Sequence, residues 1–231
     1  ATRRCFDQVA ISVAYSKLPV KMMGSDPGVS AELNGGTHMS FEDVGLMRNL
    51  PGMTIFEPVD GEQLTQAIPH ILNHDGPVYI RMFRKQAESI FGSDSKFNWL
   101  KGDTLVEGTD VTLIATGLMV KESLTACDML KAEGISARVL NIHTVKPLDC
   151  DLVIKAAAET GAIVTVENHN IINGLGSAVA ECLVENMPVP MKRIGVRDHF
   201  GEVGKMDFLM EKYHMLPSDI VAAAKEVLAK K

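Results

Sequence analysis

Apolar residues at helical spacing open the chain: Cys5, Val9, Val13 and Ser16 share one face, with Phe6, Ala10 and Ile11 beside it, so a helix is predicted over 2–16. Leu18-Pro19 ends that helix, and the short apolar run 20–24 reads as a strand closing on a glycine. Between 25 and 37 the pattern lapses into Gly, Ser, Asp, Pro and Asn, a loop long enough to carry function. Periodicity returns at Ser40-Phe41-Glu42-Asp43, a helix start with Ser40 as the expected N-cap. A strand follows over 54–57, then a helix capped by Asp60, with Pro69 expected to kink or divide it, and a strand over 78–82. Residues 86–108 lack sustained periodicity and read as a linker. Strands over 111–115, 137–142, 162–167 and 192–196 then alternate with helices over 120–133, 149–160, 174–186 and 218–230, the last capped by Ser218. That order predicts two α/β domains, an incomplete parallel sheet followed by a doubly wound sheet. The boundaries fall at 1–88, a linker over 89–108, and 109–231.

Charge narrows the range of partners. The 231 residues carry 23 Lys and Arg against 29 Asp and Glu, a net charge of −6, which gives no electrostatic reason to expect nucleic acid or an anionic membrane. No apolar run approaches bilayer length, so a cytoplasmic location is expected. Cys5, Cys127, Cys150 and Cys182 are too irregularly spaced for a zinc site or a disulfide framework, and all four read as buried or incidental thiols. The chain enters its first helix without a cap or an initiator Met, so a preceding segment is expected.

One stretch has the makings of a site: Asn34-Gly35-Gly36-Thr37-His38, with Arg81 and Arg84 about 45 residues on. The glycines let the backbone come close to a ligand or another subunit while His38 points inward at the rim of a pocket. Arg84 follows the carboxyl end of a predicted parallel strand, where such sheets bind ligands, and a guanidinium forks naturally onto a tetrahedral anion. Arg81 is the second candidate, since alternation along the strand places the two arginines on different faces. Gly174-Leu175-Gly176-Ser177 has the look of a phosphate-cradling turn, but without a third glycine it reads as close helix packing.

In order and spacing, Phe6-Asp7-Gln8-Val9, Leu18-Pro19-Val20, Gly36-Thr37-His38, Glu42-Asp43, Leu50-Pro51-Gly52-Met53 and Glu57-Pro58 resemble the second half of the pyrimidine-binding domain of transketolases and 1-deoxyxylulose-5-phosphate synthases. The run 140–149, Val164-Thr165-Val166-Glu167-Asn168-His169 and 174–181 resemble the transketolase C-terminal domain, so the likeness covers essentially the whole chain. It implies the C-terminal subunit of a split transketolase, which moves a two-carbon ketol unit between sugars or sugar phosphates with thiamine diphosphate shared with a partner subunit. No segment resembles the family's diphosphate-binding domain, so Mg²⁺ is expected on an N-terminal partner subunit, the pair is expected to dimerise, and the chain alone is expected to be inactive.

Carried over by position, the resemblance makes His38 the catalytic candidate, touching the donor ketose and its hydroxyls. Asn34, where many transketolases have an aspartate, becomes a reader of the acceptor hydroxyl. Arg84 or Arg81 takes the phosphate, and Arg4 and Phe6 are the candidate cofactor contacts. Asp26-Pro27 stands where the family has a second phosphate ligand, and an anion there repels phosphate, which puts in question whether the substrate is an ordinary sugar phosphate. Three other roles stay open: a 1-deoxyxylulose-5-phosphate synthase fragment, the β subunit of a 2-oxo acid dehydrogenase, and a non-catalytic module that binds a full-length homologue.

Overall fold

The computed structural model describes residues 2–85 and 87–231. Its opening helix is short: α1 (Phe6–Gln8) passes directly into a π-helix over Val9–Tyr15, which buries Val9 and Ala14. Strand β1 (Lys21–Ser25) follows, then a kinked 3₁₀ segment over Gly28–Asn34 inside the long loop. Helix α2 (Asp43–Arg48) starts after Glu42 with no side-chain cap, so Ser40 does not cap it. The Glu42 carboxylate is turned back onto the Phe41 N–H and Arg3 instead.

Next come β2 (Thr54–Phe56), α3 (Gly61–Leu72) and β3 (Val78–Met82). Asp60 caps α3, accepting from Gln63 N at 2.9 Å, and Gln63, Ala67 and Ile71, four residues apart, form its buried face. Pro69 lies on the exposed side and does not divide the helix.

Strand β4 (Asp103–Val106) lies inside the stretch expected to be a linker. Then follow β5 (Val111–Ala115), α4 (Met119–Ala132), β6 (Ala137–Asn141), β7 (Thr144–Lys146), α5 (Cys150–Thr160), β8 (Ile163–Asn170), α6 (Leu175–Asn186), β9 (Met191–Val196), α7 (Met206–Lys212) and α8 (Pro217–Leu228). Helix α8 begins with Pro217 after Leu216, whose N–H is taken by Asp219, so Ser218 is not its cap.

Among the described residues the strands form two sheets, ordered β1-β3-β2-β7 and β4-β6-β5-β8-β9. In the first, β1, β2 and β3 are parallel, and β7, from far along the chain, adds antiparallel to β2. In the second, β4 pairs antiparallel at one edge and the other neighbours are parallel. From β5 the chain goes out to β6 and returns on the other side to β8 and β9, the doubly wound plan. Alternation along β5 explains its full burial: Val111, Leu113 and Ala115 face α4 and α8, while Ile114 faces α5 and α6. Neither core stops at a domain boundary. Val29, Met39 and Phe41 pack into the first cluster, and Met47, Leu50 and Ile55 into the second.

Candidate functional site

The candidate segment is pinned at both ends by the carboxyl end of β8. Near its start, the Asn168 side chain donates to the Pro27 carbonyl and accepts from Val29 N–H, each at 2.9 Å. At its far end, Asn170 N–H donates to the Phe41 carbonyl, also at 2.9 Å. Gly28 between them has φ +58°, and a Cβ there would collide with the Asn168 side chain. The middle of the segment rests on the loop after β9: Gly36 lies against the Gly201 carbonyl, and Gly35 against Val203. The Gly-Gly turn thus permits a close approach, but to this chain's own C-terminal domain. Replacing Asn168 with alanine is expected to leave the buried Val29 N–H without its partner and to lower stability by about 1–3 kcal/mol, measured by urea unfolding.

His38 is exposed on this turn rather than directed inward. Its Nδ1 lies 3.0 Å from Thr37 Oγ1, which turns Nε2 away from that hydroxyl. Asn34 is exposed at the end of the 3₁₀ segment. Arg84 is drawn to the same segment: its Nε lies 2.7 Å from Asp26 Oδ2, and neighbouring Lys85 pairs with Glu32. Arg4 is exposed and Phe6 packs partly against the second core cluster. Arg3, which the sequence did not single out, reaches the turn by donating to the Met39 carbonyl at 3.2 Å and pairing with Glu42. With Met39, Phe41, Asn170, His199 and Phe200, it lines a cavity of about 380 Å³.

Arg81 stands apart from Arg84, fully buried. Its Nε lies 2.8 Å from Asp43 Oδ2, Nη1 lies 2.6 Å from Glu57 Oε1, and Nη2 donates to the Asn168 carbonyl at 2.7 Å. Tyr79 donates to Asp43 at 2.8 Å. Burial opposes the charge on Arg81, yet the two carboxylates outweigh it and hold the guanidinium well above its ordinary range. One cation cannot neutralise two carboxylates in this interior. Burial pushes Asp43 up, but Arg81, His169 and Tyr79 together hold it below the usual carboxylate range. For Glu57 burial wins over Arg81 and the pKa rises.

The cluster fills the crevice at the carboxyl ends of β5 and β8, where strand order reverses and open α/β sheets ordinarily receive ligands. Thr116 at the end of β5 faces Glu57 at 3.4 Å. Beside it, the Glu167 carboxylate accepts from Leu175 N–H and Gly176 N–H at 2.7 and 2.8 Å, so the N-terminus of α6 is occupied by an internal anion. Burial pushes Glu167 up to about 7 against those amides, and burial pulls His169 down to about 4, leaving its imidazole neutral near pH 7. The glycine-rich turn is therefore a packing feature: a side chain at Gly174 would overlap Glu167.

Among the described residues no cluster of three or more His, Cys, Asp or Glu is suited to a metal, and the buried carboxylates Asp43, Glu57 and Glu167 are engaged by Arg81 and the α6 amides. No helix among the described residues is long and apolar enough to cross a membrane.

Comparison with known proteins agrees with this architecture. The family model of the transketolase pyrimidine-binding domain matches residues 1–89, and that of the transketolase C-terminal domain residues 100–220. A 6-deoxy-6-sulfo-D-fructose transketolase subunit, SqwH, from Clostridium sp. (strain MSTE9) is 58% identical over 231 residues, covering 100% of this chain and 72% of the relative. An apulose-4-phosphate transketolase subunit from Phocaeicola vulgatus is 37% identical over 98% of this chain and 73% of its own length. A solved split-gene transketolase, described as an inactive β4 tetramer, superposes with a TM-score of 0.92 at 41% identity, over 99% of this chain and 73% of that one. With both models matched in order and a relative this similar over most of its length, the chain belongs to the transketolase family.

Proposed function

We propose that this chain is the C-terminal subunit of a split transketolase that, paired with a subunit carrying the diphosphate-binding domain, transfers a two-carbon ketol unit between sugars ending in an anionic group. The observation that carries this reading is that Arg84 is ion-paired to Asp26 in the same long loop whose later turn carries the exposed His38. The turn presents an exposed imidazole, and the Asp26 and Glu32 ion pairs draw the 84–85 stretch to the same loop. His38 Nε2 holds or moves a proton at the donor hydroxyls, Asn34 contacts the acceptor, and the Arg84 guanidinium takes the anionic end. Arg81, being buried, serves the fold rather than the substrate. The thiamine diphosphate on which the family depends is shared with the partner subunit, which holds its Mg²⁺, and Arg4 and Phe6 are this chain's cofactor contacts. The name of the 58%-identical relative makes 6-deoxy-6-sulfo-D-fructose the first donor to test.

The test is reconstitution. The subunit purified with its partner, thiamine diphosphate and Mg²⁺ is expected to transfer a ketol unit from a ketose to an aldose, and neither subunit alone to do so. The description of the solved neighbour as inactive fits the second half of that expectation. Absence of transfer from every ketose tried, or carbon dioxide release from pyruvate as the main reaction, overturns the reading.

A further inference from the structure

We propose that Asp26 is a specificity-determining residue that tunes the Arg84 end of the site to a singly charged tetrahedral anion, a sulfonate, and against the dianion of a phosphate monoester. This rests on the reading that Arg84 meets the anionic end of the sugar.

The geometry is unequal in a telling way. Asp26 is nearly buried, with 9% of its side chain exposed, whereas 66% of the Arg84 side chain is exposed. Both carboxylate oxygens are engaged by residue 84: Oδ2 faces Nε at 2.7 Å, and Oδ1 accepts the Arg84 backbone N–H at 3.3 Å. With Nε taken, the two Nη groups at the exposed tip are the donors presented outward. The carboxylate is also fixed in place. Asp26 N–H donates to the Met82 carbonyl at 3.0 Å, and the next residue, Pro27, is held by Asn168 at 2.9 Å. Asp26 itself sits at φ +54°, a conformation that this firm anchoring sustains.

The local charges cancel. Arg84 is paired with Asp26 and Lys85 with Glu32, so two cations meet two carboxylates. Sulfonate and phosphate offer the same kind of tetrahedral oxygens to the Nη fork and differ in charge. A sulfonate carries one negative charge at any physiological pH, while a phosphate monoester carries about 1.5 to 2 at pH 7, its second pKa being about 6. Within these two ion pairs the second charge has no surplus cation to meet, and it faces the Asp26 carboxylate across the shared guanidinium. Since Arg84 is solvated, the discrimination amounts to about tenfold rather than hundreds-fold.

The experiment compares kcat/KM for a C6-sulfonated ketose, the matching C6-phosphate and the C6-hydroxyl ketose, all with one uncharged acceptor, using the reconstituted subunit pair. The native pair is expected to favour the sulfonate over the phosphate by about tenfold at pH 8, and less at pH 5.5, where the phosphate has taken its second proton. Asp26→Asn, whose amide tolerates positive φ, is expected to erase most of that preference by lowering KM for the phosphate, and to flatten its pH dependence. If that variant does not fold, Arg84→Ala serves instead: it should slow both anionic ketoses by more than it slows the C6-hydroxyl one. An Asp26→Asn pair that keeps the native sulfonate-to-phosphate ratio, a native pair that prefers phosphate at pH 8, or an Arg84→Ala pair that slows all three ketoses alike overturns the proposal. Absence of transfer from all three ketoses by the native pair overturns the ketol-transfer reading and this proposal with it.

Discussion

Replacing Arg81 with methionine is expected to cost about 3–5 kcal/mol of stability, because it strips the cation from a buried ion cluster and leaves its carboxylates uncompensated. For a chain of this size the thermal midpoint should fall by on the order of 10 °C. The site cannot relax into water: Arg81 and Asp43 have side-chain exposures of 0% and 1%. A second substitution locates the charge. Asp43 is held below the ordinary carboxylate range and Glu57 is raised above it, so adding Asp43→Asn to the methionine variant should recover more stability than adding Glu57→Gln. Calorimetry of the four proteins checks this, and a methionine variant as stable as the native chain would remove the cluster from the account of how β3 is held.

His38→Ala should act on turnover and leave the fold alone. The imidazole is exposed and its described partner is the neighbouring Thr37, so unfolding should be unchanged within about 0.5 kcal/mol. Ketol transfer by the reconstituted pair, in contrast, should fall about 100-fold in kcat/KM, the scale of losing one positioned proton-transfer group. Steady-state kinetics beside a melting curve separate the two effects. Undiminished transfer would make His38 a bystander and return weight to a non-catalytic, regulatory role for the chain.

Much of this fold could be read in advance where one residue's environment follows from its neighbours. The Asp60 cap needed only Gln63 three residues later, and β5 and β8 are apolar runs because both their faces are covered. Strand β4 was hidden because its first residues, Asp103 and Thr104, have no apolar alternation, and it exists by pairing with Asn141 and Leu140. Strand β7 is three residues long, and nothing local shows that it belongs to the first sheet.

The site divides in the same way. The Gly-Gly-Thr-His turn is legible as a turn, but whether His38 points in or out depends on Gly201 and Val203, more than 160 residues away. Alternation along β3 separated Arg81 from Arg84, yet the charge pairing of Arg81 with Asp43 and Glu57 is long-range and invisible to periodicity. The same holds for Asn168, which looks like any polar residue at a strand end until the loop it clamps is seen above it.

Strand β7 also governs how a gene for such a protein can be divided. Ile55 and Phe56 pair across the first sheet with Lys146 and Thr144. A reading frame broken between the two matched family segments would therefore yield one polypeptide with the raw edge of β2 open to other chains, and another with a three-residue strand that has no sheet to join. The β2–β7 pairing thus ties the two matched segments into one folding unit, and a chain severed between them is expected to leave both pieces prone to aggregation.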